Sequence, residues 1–171
     1  GTPFGERADE AVEDDEALGL YRLAQAHLGA YRRYEVSNFA RAGRECGHNL
    51  IYWHNEEYAG FGPGAYSYLE GERLRHVASI ERYLADPFAI EERIRISDRE
   101  ERLETVIQHM WLADGLEKAY YVARFGGDVR ADFGKALDSL LAWRLISEDN
   151  TRIWPTEAGF ELNNEIGLAL A

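Results

Sequence analysis

Apolar residues recur along the chain first at helical and then at strand spacing. Ala17, Leu18, Tyr21, Ala24 and Leu28 follow at steps of three and four, which predicts an amphipathic helix. Asp14 and Asp15 stand near its start, where carboxylates favour the positive end of the helix dipole, and Gly29 is expected to close it as a left-handed cap. Residues 34–39 then alternate apolar and polar types and read as a half-buried strand, an α/β step. Residues 41–47 form a loop, and 48–53 fit either one helical turn or an extended piece. Residues 58–68 read as a strand that Gly71 turns into a second strand over 73–77. Ser79 caps a short helix ending near Asp86 and Pro87, and 90–96 is a charged, alternating stretch.

A second unit is expected to begin at Ser97, whose Ser-Asp-Arg-Glu reads as a capping box. Leu103, Val106, Ile107, Met110 and Trp111 give a helical stripe that Gly115 should end. A shorter helix follows over 117–125. Asp128 then caps a third with Phe133, Ala136, Leu137, Leu140 and Leu141 on its apolar face. A hairpin over 143–154 and a last helix from Thr156 complete the order of a winged helix.

One stretch, residues 48–68, carries most of the candidate chemistry: H-N-L-I-Y-W-H-N-E-E-Y-A-G-F-G-P-G-A-Y-S-Y. Gly60, Gly62 and Gly64 at alternate positions leave one face of an extended segment bare, and close approach by a ligand or another backbone is the usual reason. No helical pattern follows Gly64, which removes a dinucleotide-binding reading of this spacing.

Composition narrows the function classes. With 171 residues, 46% hydrophobic, the chain can bury a core of its own. A net charge of −12 argues against a nucleic-acid surface spread over the molecule. No apolar run reaches membrane-spanning length, and a single cysteine, Cys46, fits a reducing, cytoplasmic setting and excludes an intramolecular disulfide.

Residues 34–39 (Y-E-V-S-N-F), 48–53 (H-N-L-I-Y-W) and 60–68 (G-F-G-P-G-A-Y-S-Y), with the winged-helix order, together resemble the C-terminal part of the oxygen-independent coproporphyrinogen III oxidase-like radical SAM proteins. The opening Gly1-Thr2-Pro3 resembles the point just after a late strand of that family's partial (β/α) barrel, and H-N-x-x-Y-W is similar to the haem chaperone branch. The resemblance implies an α+β chain. Residues 1–96 would be the end of the barrel with a β-hairpin, and 97–171 a winged-helix-like, mostly helical domain. It implies a place in porphyrin and haem metabolism, with haem or coproporphyrinogen as the bound tetrapyrrole. It also implies an N-terminal radical SAM barrel in a longer parent and a haem-acceptor protein as partners. In such a parent three cysteines hold a four-iron four-sulfur cluster that cleaves S-adenosylmethionine, giving it oxidoreductase-like chemistry. Cys46 alone cannot hold that cluster, so this chain by itself is expected to be inactive and to carry no catalytic residue.

The residues that the resemblance assigns to the cofactor are His48, Asn49, Tyr52, Gly60, Gly62, Gly64, Ala65 and Tyr66, with His48 the candidate iron ligand. Two departures stand out: Tyr66 occupies the place of a His in the more usual G-A-H-S-Y, and His76 stands where an Asn is common. Other readings remain beside these. His48 and Asn49 would merely hydrogen-bond a loop, the glycines would mark a tightly packed edge, and the chain would be a docking module. A DNA-binding winged helix is disfavoured, because Arg130 and Lys135 are outweighed by Asp128, Asp132 and Asp138 on the helix that would enter the groove.

Overall fold

A computed structural model describes residues 5–171, so the opening Gly1-Thr2-Pro3 lies outside the described residues. After a 3-10 turn (Gly5–Glu10) comes α1 (Asp14–His27), which buries no residue of its own. Polar ties hold it instead. The Tyr21 hydroxyl donates to the Val36 carbonyl at 3.0 Å, and Arg22 grips both carboxylate oxygens of Glu161 at 2.8 Å. Gly29 does not adopt the expected left-handed cap: the N–H of Leu28 reaches back to Ala24 and Gln25, and a turn from Leu28 to Tyr31 closes the helix.

The alternating stretch 34–39 is not one strand. Two short strands, β1 (Arg32–Arg33) and β2 (Phe39–Ala40), pair antiparallel around it. Its alternation serves a different partner, since the Val36 N–H bonds Trp111 O and the Ala113 N–H bonds Tyr34 O. The expected α/β step is therefore a small hairpin stitched to the second half of the chain. The ambiguous stretch resolves as α2 (Gly47–Trp53).

Strands β3 (Tyr66–Leu69), β4 (Glu72–His76) and β5 (Ile90–Arg95) make an antiparallel sheet in that order, with α3 (Ile80–Ala85) between the last two. Ser79 caps α3 by accepting the Arg82 N–H. The long strand expected over 58–68 is broken. Only Tyr58 and Tyr68 pair, by reciprocal backbone bonds of 2.9 Å, and residues 59–65 before β3 form a loop. Gly62 (φ 116°) and Gly64 (φ 71°) bend it through backbone space that other residues avoid. A Cβ on Gly60 would sit 2.0 Å from the Tyr66 carbonyl oxygen. The backbone that crowds Gly60 is the chain's own.

The second half opens with α4 (Asp98–His109), where Ser97 and Glu100 form the capping box. The helix stops at His109, before Gly115, because 110–115 turns to meet residues 34–36. Then come β6 (Leu116–Glu117), α5 (Lys118–Phe125), α6 (Val129–Ala142), β7 (Ile146–Glu148) and β8 (Arg152–Pro155). The three strands form a sheet of order β6-β8-β7. The single closing helix is in fact two, α7 (Glu157–Glu161) and α8 (Asn163–Leu170). Val106, Met110, Leu116, Tyr121, Leu137, Leu140, Ile153 and Ile166 form the main core, all from residues after Ser97. With a mixed helix and sheet content and antiparallel sheets, the chain is α+β.

The two halves meet through polar contacts. The Arg124 guanidinium donates to the carbonyls of His54 (3.1 Å) and Asn55 (2.7 Å), to Tyr120 Oη (2.7 Å) and to Glu101 (2.8 Å). Burial alone would lower its pKa, and the bonds to Glu101 and Tyr120 outweigh that and raise it. Asn55, buried and at φ 52°, sends its side-chain amide to Thr105 Oγ1 at 3.0 Å. Replacing Arg124 with Leu strands these carbonyls and the Glu101 carboxylate. It should cost about 2–4 kcal/mol of stability in urea denaturation; a change under about 0.5 kcal/mol would show that Arg124 does not hold the junction.

Candidate functional site

Helix α2 is the element on which the candidate chemistry converges. Its start has no side-chain cap, and its end is fixed because Arg124 takes the carbonyls of His54 and Asn55 just beyond it. Along one face, His48 meets Tyr52 edge to face at 4.9 Å, and Tyr52 meets Tyr58 at 4.5 Å. His48 is exposed; Asn49 and Tyr52 are half-buried. Tyr58 pairs with Tyr68 of β3, so this aromatic series is the bridge between α2 and the hairpin.

The glycine loop is turned elsewhere. The Gly60 N–H donates to Ser67 Oγ, Gly62 to Tyr83 Oη and Gly64 to Val77 O. Ala65 O accepts from His76 N–H, and Tyr66 lies exposed with the Arg75 guanidinium 5.9 Å from its ring centre. The predicted site residues thus fall into two groups: His48, Asn49 and Tyr52 on α2, and Gly60, Gly62, Gly64, Ala65 and Tyr66 on the hairpin side. Tyr58 stands between them.

The other face of α2 shapes a cavity of about 480 Å³, and Leu50 and His54 line it. Opposite stands His109, only 4% exposed, its ring stacked 5.3 Å from that of His54 and 5.0 Å from that of Tyr120. Nδ1 of His109 lies 2.8 Å from the Thr105 carbonyl oxygen. A carbonyl only accepts, so Nδ1 carries the proton and Nε2 keeps the free lone pair. Burial depresses the His109 pKa to about 4, against the pull of the Thr105 bond and helped by His54 and Arg124 nearby. Tyr34 and Leu112 complete the walls, and Arg32, Glu45, Asp114, Glu117 and Arg152 stand among the lining residues. None of the residues assigned from the sequence lines this cavity. His109 was hidden because a histidine at the end of an amphipathic stripe looks like core filling, and His54 lies just outside the H-N-x-x-Y-W signature.

A smaller cavity of about 100 Å³ lies beside Tyr52, Trp53, Tyr58 and Gln108. Trp53 Nε1 and Gln108 Oε1 are buried there without a protein partner. A donor and an acceptor in so small a space suit bridging water.

The donor chemistry decides which groups fit. An exposed imidazole backed by aromatic rings suits a haem, whose iron takes an axial nitrogen and whose ring takes an apolar surface. An iron–sulfur cluster does not fit: Cys46 is the single cysteine, and among the described residues no three metal-ligating side chains converge.

Residues 96–162 match the HemN C-terminal domain. The heme chaperone HemW of Lactococcus lactis is 35% identical over 162 residues, which is 90% of this chain and 41% of that protein. HemW of Bacillus subtilis is 29% identical over 158 residues, 89% of this chain and 42% of the relative. The solved structure of coproporphyrinogen III oxidase (HemN) from Escherichia coli, a radical SAM enzyme, superposes with a TM-score of 0.66 at 16% identity. It covers 88% of this chain and 39% of that one, and shows a shared fold. The chain is thus related to HemW- and HemN-like proteins and carries their C-terminal domain, as the sequence motifs indicated. It spans about two-fifths of the length of the curated relatives it matches.

The depressed His109 pKa has a consequence for stability. The unfolded chain binds a proton near the ordinary pKa of about 6.5, whereas the folded one resists protonation down to about 4. Stability from neutral His109 is therefore complete above pH 6.5 and is lost as pH falls toward 4. Between pH 7 and 5 the loss should be about 2 kcal/mol in urea denaturation, and His109→Gln should remove that pH-dependent part. An unchanged pH profile in the variant would place the effect on other groups.

Proposed function

We propose that this chain is the tetrapyrrole-holding C-terminal part of a HemW- or HemN-like radical SAM protein, acting in haem or porphyrin metabolism in the cytoplasm. Haem is the ligand favoured by the relatives, whose names describe heme chaperones; coproporphyrinogen is the alternative. Cluster-dependent chemistry with S-adenosylmethionine would belong to an N-terminal barrel of the longer parent, and delivery of haem to an acceptor protein would follow.

The observation that carries this reading is His48: an exposed imidazole on a helix pinned from behind by Arg124, with Tyr52 packed edge to face beside it. The glycine loop, with Ala65 and Tyr66, would flank the tetrapyrrole rather than lie flat under it, since its backbone N–H groups are already engaged. Phe61 of the glycine loop, Tyr66 of β3, Ile80 and Leu84 of α3 and Phe88 just after it are exposed. An apolar set of that kind suits coverage by the barrel.

For residues 97–171 the reading is a winged-helix-like domain used for packing. Its element order and its sheet β6-β8-β7 support that reading, and the main core lies wholly within it. Several of its cations are already paired: Arg130 with Glu148 and Asp138, Lys118 with Glu148, Arg102 with Asp132 and Arg124 with Glu101. With Asp128, Asp132 and Asp138 on or at the start of α6, that pairing favours docking over DNA binding.

Two experiments test these points. Haemin titration followed by the Soret band should show binding by the chain and at least a tenfold weaker affinity, about 1.4 kcal/mol, for the site altered by His48→Ala. Equal Soret shift and affinity in the variant would return His48 to a structural role. Separately, residues 97–171 expressed alone should melt cooperatively; a non-cooperative melt would mean that the boundary near Ser97 does not separate two domains.

A further inference from the structure

Helix α2 is fastened to the second half of the chain at a small contact with an imidazole on each side. The His54 ring, just past the end of α2, stacks on that of His109 at the end of α4, with centres 5.3 Å apart and planes 25° from parallel. Thr105 serves both partners: its carbonyl takes the His109 Nδ1–H at 2.8 Å, and its Oγ1 takes the Asn55 side-chain amide at 3.0 Å. The His54 carbonyl accepts from Tyr120 Oη at 3.0 Å and from Arg124 at 3.1 Å, and Trp53 meets Trp111 at 4.8 Å beside the stack.

This contact is sound only while the imidazoles are neutral. Two protonated rings at such a distance repel, and the Arg124 guanidinium brings a third positive charge to the same end of α2. Compensation is scarce. Glu101 on α4 is already bonded to Arg124, and Tyr120 on α5 offers a neutral phenol 5.0 Å from the His109 ring. Glu56 stands 3.8 Å from His54 Nδ1, with half of its side chain in solvent. Glu45, Asp114 and Glu117 share the cavity lining with both rings, as do Arg32 and Arg152, but among the described residues none of these carboxylates comes within 4.0 Å of either imidazole.

We propose that the His54–His109 stack is an acid-sensitive latch: protonation of the pair parts α2 and residues 54–56 from α4 and α5 while the core of the second half stays folded. Helix α2 is the part that gives way, because it is seven residues long, uncapped at its start and buries none of them, whereas the core after Ser97 is held by apolar packing. Neutral His109 sets the direction. The closed latch keeps the proton off down to about pH 4, chiefly through burial and with help from the His54 and Arg124 charges. The open latch takes it near the ordinary pKa of about 6.5. The latch is therefore tight above pH 6.5 and loosens as pH falls toward 4, with opening about twentyfold more frequent at pH 5 than at pH 7. Since α2 also carries His48 and Tyr52, an open latch frees the orientation of that histidine; this consequence, unlike the latch itself, rests on the tetrapyrrole reading.

Amide hydrogen exchange of the whole chain, with no haemin present, tests the latch, each rate being divided by the intrinsic rate at its pH. The amides of His54, Asn55 and Glu56, bonded to the carbonyls of Leu50, Tyr52 and Ile51, should be less protected than those of α6 at both pH 7 and pH 5. Their protection should fall about twentyfold between the two, and His109→Gln should remove most of that fall. His109→Asn, whose amide can replace Nδ1–H toward Thr105, does the same work if the first variant does not fold. Protection equal to that of α6 at pH 5 would mean that these amides open only by global unfolding, and overturns the latch. A twentyfold fall that persists in a folded His109 variant overturns the assignment to this stack. Either failure leaves the His48 reading untouched, and a failure of haemin to bind leaves the latch untouched.

Discussion

The Arg124 guanidinium is the contact on which the arrangement of this chain depends. Helix α2 is short, uncapped at its start and buries no residue of its own, so it has little intrinsic reason to persist. Its last carbonyls are satisfied from another part of the chain, by a cation already aligned by Glu101 and Tyr120. A charged donor serving several acceptors at once is worth more than isolated neutral bonds, and in a half-buried setting each acceptor would be costly to leave alone. The same side chain therefore ends α2, joins the two halves and sets the orientation in which the α2 histidines are displayed.

From that constraint the division of the site follows. Because α2 is held at its C-terminal end, its faces keep distinct surroundings: His48 and Tyr52 look toward Tyr58 and the hairpin, while Leu50 and His54 look into the cavity that His109 closes. The 34–39 segment contributes to the inner side by hydrogen-bonding to residues 111–113 and by placing Tyr34 in the wall. The well-packed core of the second half acts as the platform, and the first half, with few buried apolar residues, is fastened to it by hydrogen bonds and by the Arg73–Glu104 pair at 2.6 Å. The Glu104 carboxyl is pushed above its usual range by burial, partly offset by Arg73.

How much of this was legible in the sequence depends on the range of the interactions. Local signals read true: the Ser97 capping box, the Ser79 and Asp128 caps and the apolar stripe of α6 each involve residues within a turn or two of one another. The errors came from partners far along the chain. Residues 34–39 alternate like a strand because they meet residues 111–113, and the alternate glycines read as part of a strand although Gly62 and Gly64 bend the chain into a loop. The α2 histidine face was visible as a four-residue spacing. The cavity was not, since His54 and His109 are brought together by the fold and by no pattern in either segment.

The central claim is that a histidine nitrogen of this chain holds a tetrapyrrole iron. Pulsed electron paramagnetic resonance of the haemin-loaded chain, prepared with natural-abundance and with nitrogen-15 histidine, tests it most directly. The account predicts an axial nitrogen coupling that changes with the label. A spectrum that matches free haemin, or an axial ligand indifferent to histidine labelling, would contradict it.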